Sequence, residues 1–447
     1  MSTSLAEETA MEDRLRLRWT GAVAALAPAA RSALFDRTTS GDPVIRERTT
    51  TIIARVRRDG DAALRALAAE LDGATLSALE VPRARWDRAL AALDPALRRA
   101  MERSAANIAR VHRAFLPVAQ ETESEPGIVI GRRPDPLGRV GVYAPGGRAA
   151  YPSSLLMGTV PARVAGVGEV IVCSPPGPDG APSDVVLAAA ALAGAERVFA
   201  LGGAGAIAAL AYGTESVPRV DRIVGPGNAY VAEAKVQLSS VVAIDSPAGP
   251  SELLVLADES ADPALVAREL LAQAEHDPLA AVVAVVTSEV LAEAVRQELA
   301  IQLDAQPRAE IIRAALAGQG AVLHARTLDD AIDFANAYAA EHLLLVVANV
   351  DAVLARLRNA GTVFVGASAS VAFGDYMTGA NHVLPTGGLA RSYSGLSTLD
   401  FVRWTTYQRI TPEAAARLGA DVGIFADAEQ LYGHGIAARA HLATVAP

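Results

Sequence analysis

Residues 138–147 read GRVGVYAPGG. Arg139 to Tyr143 have the composition of a short strand, and Ala144-Pro145-Gly146-Gly147 closes it with a turn. An Ala-rich helical segment follows from about Ser153. Working outward, the same unit recurs. A strand at 169–173 precedes a helix at 183–193, for which Ser183 is the expected N-cap. Strand Val198-Phe199-Ala200-Leu201 opens into Gly202-Gly203-Ala204-Gly205 and another helix. Strand Arg222-Ile223-Val224 runs into Gly225-Pro226-Gly227-Asn228. Strand, glycine turn and helix in repetition predict a doubly wound parallel sheet. Each turn can aim backbone N–H groups and a helix N-terminus at an anion. None of them is a GxGxxG with an acidic residue about 20 positions on, so the ordinary dinucleotide fingerprint is missing.

A second α/β unit begins at Leu253-Leu254-Val255-Leu256. Asp262 as N-cap and Pro263 at N1 open its first helix. Strands at 282–286, 343–347 and 362–365 follow. The last runs into GASASVAFGDYMTGANHVLPTG, residues 366–387. A small-residue loop after a buried strand is a usual place for chemistry in α/β proteins. Upstream, the helical spacing of Val44, Ile45, Ile52, Ile53 and Val56 predicts helices from Asp42 to Ala119, broken at Gly60-Asp61. Residues 1–40 read as a polar, Ala-rich helical arm. The prolines 117, 126, 134 and 136 read as a linker, and the chain beyond 390 as a helical tail.

With 447 residues, a large core and two or three domains are expected. No run of about 18 uncharged apolar residues occurs and the charged start lacks a signal-peptide core, so a cytoplasmic protein without membrane contact is expected. The net charge of −10 argues against a nucleic-acid partner. Cys173 is the sole cysteine, which excludes a multi-thiolate metal site; at the end of an apolar strand it reads as a buried structural thiol.

Four of the seven histidines, His276, His342, His382 and His434, stand beside other polar groups at the ends of elements. His112, His324 and His441 sit in ordinary helix or strand contexts and read as structural. Gln273 and His276 are three apart at a helix end, so both point the same way. Alone, that pair is most simply a solvated helix end. Together, His276, His434, Asp375 and an amide would make an N/O site suited to zinc or manganese. Glu341-His342, ahead of the apolar run 343–347, offers a carboxylate base and an imidazole base to one pocket.

These motifs together resemble the histidinol dehydrogenase family. The matching stretches are GRVGVYAPGG (138–147), GPGNAYVAEAK (225–235), DSPAGPSELLV (245–255), QAEH (273–276), EHL (341–343), GDYMTGANHVLPTGG (374–388) and EQLYGH (429–434). The resemblance implies two Rossmann-like, incomplete doubly wound domains. One would comprise 41–137 with 250–390, and the NAD-binding one 138–249. Residues 391–447 would be a tail exchanged within a homodimer, so that Glu429 and His434 act in the neighbour's site. It implies one Zn2+ held by Gln273, His276, Asp375 and His434, and a catalytic pair Glu341 and His342. Ser251, His382 and Glu429 would bind substrate together with His342 and the zinc ligands. NAD+ contacts would fall on Tyr143, Asn228 and Gly205, where Gly205 replaces the family's usual glutamine. Ala340 and Gln430 also depart from the family pattern, and neither removes a reacting group. The implied reaction is oxidation of L-histidinol to L-histidine with two NAD+. The alternatives are a paralogue oxidising another primary alcohol, such as sulfopropanediol, or a zinc hydrolase without NAD+.

Overall fold

The computed structural model describes residues 15–38, 41–146 and 150–444. Its strands in chain order are β1 (Trp19–Ala22), β2 (Gln120–Glu125), β3 (Ile128–Pro136), β4 (Arg139–Tyr143), β5 (Glu169–Ser174), β6 (Arg197–Ala200), β7 (Arg222–Val224), β8 (Ala243–Ile244), β9 (Glu252–Ala257), β10 (Ala281–Val286), β11 (Gly320–His324), β12 (His342–Val346), β13 (Thr362–Val365) and β14 (Val402–Ile410). Two parallel sheets organise the chain, in the orders β6-β5-β4-β7-β8 and β1-β11-β10-β9-β12-β13. With β1 set aside, the two have one topology. The first strand of each unit is central, the next two lie on one side and the last two on the other. This is the predicted doubly wound α/β architecture, with a switch point between β4 and β7 and another between β9 and β12.

The packing follows from the strand compositions. β9 and β10 are buried along their whole length, as expected where helices cover both faces of a parallel sheet. Leu253, Val255, Val282 and Ala284 enter one core. Their neighbours Leu254, Leu256, Val283 and Val285 enter another on the opposite face, as the two-residue period of a strand requires. Asp262 caps the helix Pro263–Ala274 by accepting from Ala264 N at 3.0 Å. Ser183 precedes its helix as predicted but makes no side-chain capping bond. Among the described residues no helix is long and apolar enough to cross a membrane.

The structure departs from expectation in three places. In the expected helical arm, residues 1–14 and 39–40 lie outside the described residues. The remainder holds the helix Pro28–Phe35 and also β1, which pairs in parallel with β11 through Trp19↔Ala321. The alternation of Leu15, Leu17 and Trp19 with Arg16 and Arg18 is a strand signal that Ala-richness masks. Next, the proline linker is an antiparallel hairpin, β2–β3, and the supposedly helical tail begins with β14 on β3. Val402–Ile410 is rich in Thr, Tyr and Trp, all good strand formers. Lastly, the expected grouping of 41–137 with 250–390 is not the packing seen. Ile53, Leu64, Trp86 and Ile108, from helices between 43 and 114, share the core of the five-stranded sheet with Val140, Val142 and Ile171.

His112, near the end of helix Pro95–Ala114, is 1% exposed, and neither ring nitrogen has a partner among the described residues. Burial pushes its pKa down to about 4. The unfolded chain therefore binds an extra proton between the ordinary imidazole value and that figure, and stability falls as pH drops through this window. By this linkage the group costs roughly 2 kcal/mol between pH 7 and pH 5. His112→Leu is expected to flatten that part of the acid limb, as read from urea midpoints at the two pH values.

Candidate functional site

Glu341 and His342 stand at the amino end of β12, beside the amino end of β9, where His342 pairs with Leu253. Both side chains are buried. His342 Nδ1 lies 3.0 Å from the Glu252 carbonyl oxygen. A carbonyl only accepts, so Nδ1 carries a proton, and Nε2 is the nitrogen that gains or loses the second one. His342 Nε2 has no hydrogen-bond partner among the described residues, and Asp375 Oδ1 is 3.6 Å away. Glu341 Oε2 accepts from Glu252 N at 2.7 Å and lies 3.3 Å from His342 Nδ1. Burial pushes the Glu341 carboxyl up. For His342, burial acts downward, but the charges of Glu341 and Asp375 outweigh it and raise the ring to about 9. The pair is entered through a tight turn. Ala339 has φ +54°, and a Cβ at Gly361 would lie 2.5 Å from the Glu341 carbonyl oxygen. Only glycine allows that approach.

Asp375 belongs to the helix Val371–Tyr376. Val371 N donates to Glu269 Oε2 at 3.1 Å, which ties this helix to the one carrying Gln273. Gly374 faces the Phe364 ring so closely that a Cβ would lie 2.5 Å from it. His382 Nδ1 donates to the Asp375 carbonyl at 2.9 Å, and His382 Nε2 meets Ser154 Oγ at 3.2 Å. Burial pushes the His382 pKa down. Asn381 Nδ2 donates to Met157 O, and Asn107 Nδ2 to Met377 O, both at 2.8 Å. The loop that holds Asp375 and His382 is thus fastened to helices of the five-stranded unit.

Gln273 is 2% exposed and its Nε2 lacks a partner among the described residues. The helix ends at Ala274, so His276 lies just beyond it, half-buried. Burial lowers the His276 pKa, and the Asp375 charge opposes this, which places the two near each other. Ser251 is half-buried immediately before β9. Glu429 and His434 are different. Both are exposed, near the helices Pro412–Ala428 and Tyr432–Arg439, and neither bonds to Gln273, His276, Asp375 or Glu341 among the described residues. Nor are any three His, Cys, Asp or Glu side chains among the described residues grouped to hold a metal.

The expected cofactor residues line a separate feature. A cavity of about 1400 Å³ lies along the carboxyl ends of the five-stranded sheet, lined by Tyr143, Pro175, Gly202, Gly205 and Asn228 among others. Gly147 of the first glycine turn lies outside the described residues. Tyr143 Oη accepts from Gly203 N at 3.1 Å, and burial pushes its pKa up to about 12. Asn228 caps the helix Ala229–Leu238 by accepting from Tyr230 N and Val231 N. A Cβ at Gly205 would meet Leu67 Cδ1 at 3.3 Å, so the residue lies close under the helix Pro43–Leu67 that forms the opposite wall. Ala150 lines the cavity, and Ser154, four residues on, meets His382; the cavity and the polar cluster share one helix entrance.

Sequence reasoning passed over Glu252, Ser154, Asn107 and Arg37 as site residues. Glu252 had a signal: a carboxylate at the head of a six-residue buried and otherwise apolar strand, which a solvated residue would not occupy. Arg37 had none, because its partners lie more than 200 positions away.

The profile of the family described as histidinol dehydrogenase matches residues 36–442. The chain belongs to the histidinol dehydrogenase family. It is 47% identical over 401 residues to the Methanosarcina barkeri histidinol dehydrogenase, covering 90% of this chain and 92% of that one. It is 50% identical over 414 residues to the protein of that name from Halobacterium salinarum, covering 92% and 96%. The crystal structure of histidinol dehydrogenase from Elizabethkingia anophelis superposes with a TM-score of 0.90 at 33% identity, covering 97% of this chain and 99% of that one.

The family's glycine turn after β7 gives a direct test of the geometry. Gly225 has φ +114°, and a Cβ there would overlap the Tyr143 carbonyl oxygen. Gly225 N donates to Asp245 Oδ2 at 2.8 Å, Lys235 Nζ donates to Gly225 O at 3.2 Å, and Lys235 pairs with Asp245 out of solvent. Gly225→Ala is expected to cost more than about 1 kcal/mol, visible as a lowered melting temperature.

Proposed function

We propose that this chain oxidises L-histidinol through L-histidinal to L-histidine, reducing two NAD+, as a step of histidine biosynthesis in the cytoplasm. The observation that carries the reading is His342. Its ring is buried, its tautomer is set by the Glu252 carbonyl, and Nε2 is left without a partner. In the neutral ring that nitrogen takes the hydroxyl proton as the alcohol carbon loses hydride, and a ring whose pKa stands at about 9 is a strong base for the purpose. NAD+, when bound, supplies the hydride acceptor in both half-reactions, and the cavity between Tyr143 and Asn228 has the position of a dinucleotide site. Family membership supports the same assignment.

The second half-reaction needs water added to the aldehyde. Glu341, whose carboxyl is pushed up by burial, is suited to remove a proton from that water. His342 Nε2 then takes the hydroxyl proton of the hydrate as a second hydride departs. Each oxidation removes one hydride and one proton, and the added water supplies the second oxygen of the product carboxylate.

The donor set fits zinc. Gln273, His276 and Asp375 offer N and O donors; the Gln273 amide is buried with one terminal atom unpartnered, and a half-turn of the amide puts its oxygen, the atom that ligates a cation, in that place. These residues would hold the ion, with His434 from a second copy of the chain as the fourth donor. When bound, zinc would anchor the imidazole and amino nitrogens of the substrate. Exchange of the tail within a homodimer is supported by its exposed apolar side chains, Ile424, Phe425, Tyr432 and Ile436, each more than 60% exposed. In that arrangement Glu429 and His382 contact substrate, and Ser251 lies beside them.

Two molecules of NADH per L-histidinol are expected in a spectrophotometric end-point assay. Turnover of sulfopropanediol without turnover of L-histidinol would assign the chain to the other-alcohol reading. His342→Ala is expected to lower kcat by about 10²–10⁴ while zinc content by atomic absorption stays level. His434→Ala is expected to lose zinc, and mixing the two inactive variants should restore partial activity through hybrid dimers.

A further inference from the structure

The reaction leaves unused a buried ion pair beside the proposed bases. Arg37 and Glu252 have side chains that are 3% and 2% exposed, and Arg37 Nε donates to Glu252 Oε1 at 2.9 Å. The same oxygen accepts from Gly387 N at 2.6 Å. The other oxygen, Oε2, accepts from Glu341 N at 3.3 Å. The main chain of Glu252 works on the same neighbours: its N–H donates to Glu341 Oε2 and its carbonyl accepts from His342 Nδ1. Arg37 has a second grip. It donates to the Tyr338 carbonyl at 2.7 Å and lies 3.5 Å over the Tyr338 ring. Tyr338 is the last residue of the helix Leu328–Tyr338, and the left-handed Ala339 follows it before Ala340 and Glu341.

From this geometry we infer that Arg37 is a positioning residue for the Glu341–His342 pair, acting through Glu252 and the Tyr338 carbonyl. The inference rests on the proposed roles of Glu341 and His342. The physical reasoning has two parts. The forked guanidinium holds two points at once: the carboxylate that braces Glu341 N and the helix end that delivers Glu341. It also neutralises a carboxylate that would otherwise be buried, unpaired, next to Glu341. Without it, Glu252 would leave its present place, and the backbone groups that aim Glu341 and His342 would move with it. Arg37 itself touches neither reacting group, so its effect should appear in turnover and not in binding.

The test uses the zinc-loaded enzyme at saturating NAD+. Arg37→Met is expected to lower kcat about tenfold or more, since displacements of order 1 Å can cost that and more. KM for L-histidinol, KM for NAD+ and zinc content should each stay within about threefold, because the substrate and cofactor groups are not touched. Arg37→Lys, which keeps the charge but not the fork, should recover part of the loss. If Arg37→Met does not yield folded protein, Glu252→Gln carries the same test, since its amide N–H would face the Arg37, Gly387 or Glu341 donors and break the brace. The decisive comparison is the triple variant. Combined with Glu341→Gln and His342→Ala together, Arg37→Met should add little to the loss caused by that pair alone. A multiplied loss, an unchanged kcat in Arg37→Met, or a loss confined to KM would each overturn the inference. Glu341→Gln retaining wild-type turnover would instead overturn the underlying assignment of the pair.

Discussion

The pairing of β9 with β12 is the constraint from which the rest of the site follows. The two strands run parallel with His342 opposite Leu253, so the residue heading each strand meets the other. Glu252 then lies against Glu341 and His342 by register alone. Parallel neighbours leave their first backbone groups without ladder partners, and here the side chains of the opposite strand take them. Glu252 N finds Glu341 Oε2, and Glu341 N finds Glu252 Oε2. Two buried carboxylates exchanging backbone donors in this way need cationic partners, and Arg37 supplies one to Glu252. Breaking one partner of such a buried pair typically costs about 3–5 kcal/mol. The site is therefore bound to the stability of the sheet.

The two sheets share a strand order but use opposite ends. In the five-stranded unit the cavity lies along the carboxyl ends, where doubly wound folds ordinarily bind ligands. In the six-stranded unit the polar cluster gathers at the amino ends of β9 and β12. At its carboxyl-end switch point the strand ends are linked. Asp258, just after β9, accepts from Ala348 N at 2.8 Å, just after β12, and from Ser260. This side-chain hydrogen bond ties the two strand ends together. The Asp375 loop reaches from the carboxyl end of β13 back to the amino ends, and its bonds to Met157 and Asn107 hold it against the first unit.

How much of this was legible depended on the range of the interactions. The doubly wound architecture was readable because strand, turn and helix are local patterns, repeated. Glu341, His342, Asp375 and His382 stood out as residue types at the ends of elements, and the structure joins all four through contacts of 3.9 Å or less. Packing between distant segments was not readable. The helices at 43–114 could be predicted as helices, but nothing in their periodicity says which of two similar sheets they cover. β1 and β14 were hidden for a related reason: both are single strands that pair only with segments far away in the chain, without a hairpin turn to announce them. Arg37 illustrates the limit, since a lone arginine before a loop acquires meaning only from the Glu252 and Tyr338 groups it meets.

Gly205 shows how such a departure can be accommodated. A glutamine at this position would put its Cβ against Leu67 and Leu64 of the helix that walls the cavity. With glycine the helix can lie close over the turn, and the polar duties of the rim fall on other groups. Tyr143 Oη already takes the Gly203 N–H, and Asn228 Oδ1 is committed to the two amides of its cap. The turns offer the Tyr143 hydroxyl proton, the Asn228 amide group and backbone N–H as donors, and Asp72 brings a carboxylate to Gly202. With glycine at 205, the shape of this rim is set by the backbone of the turn and by the helix packed over it.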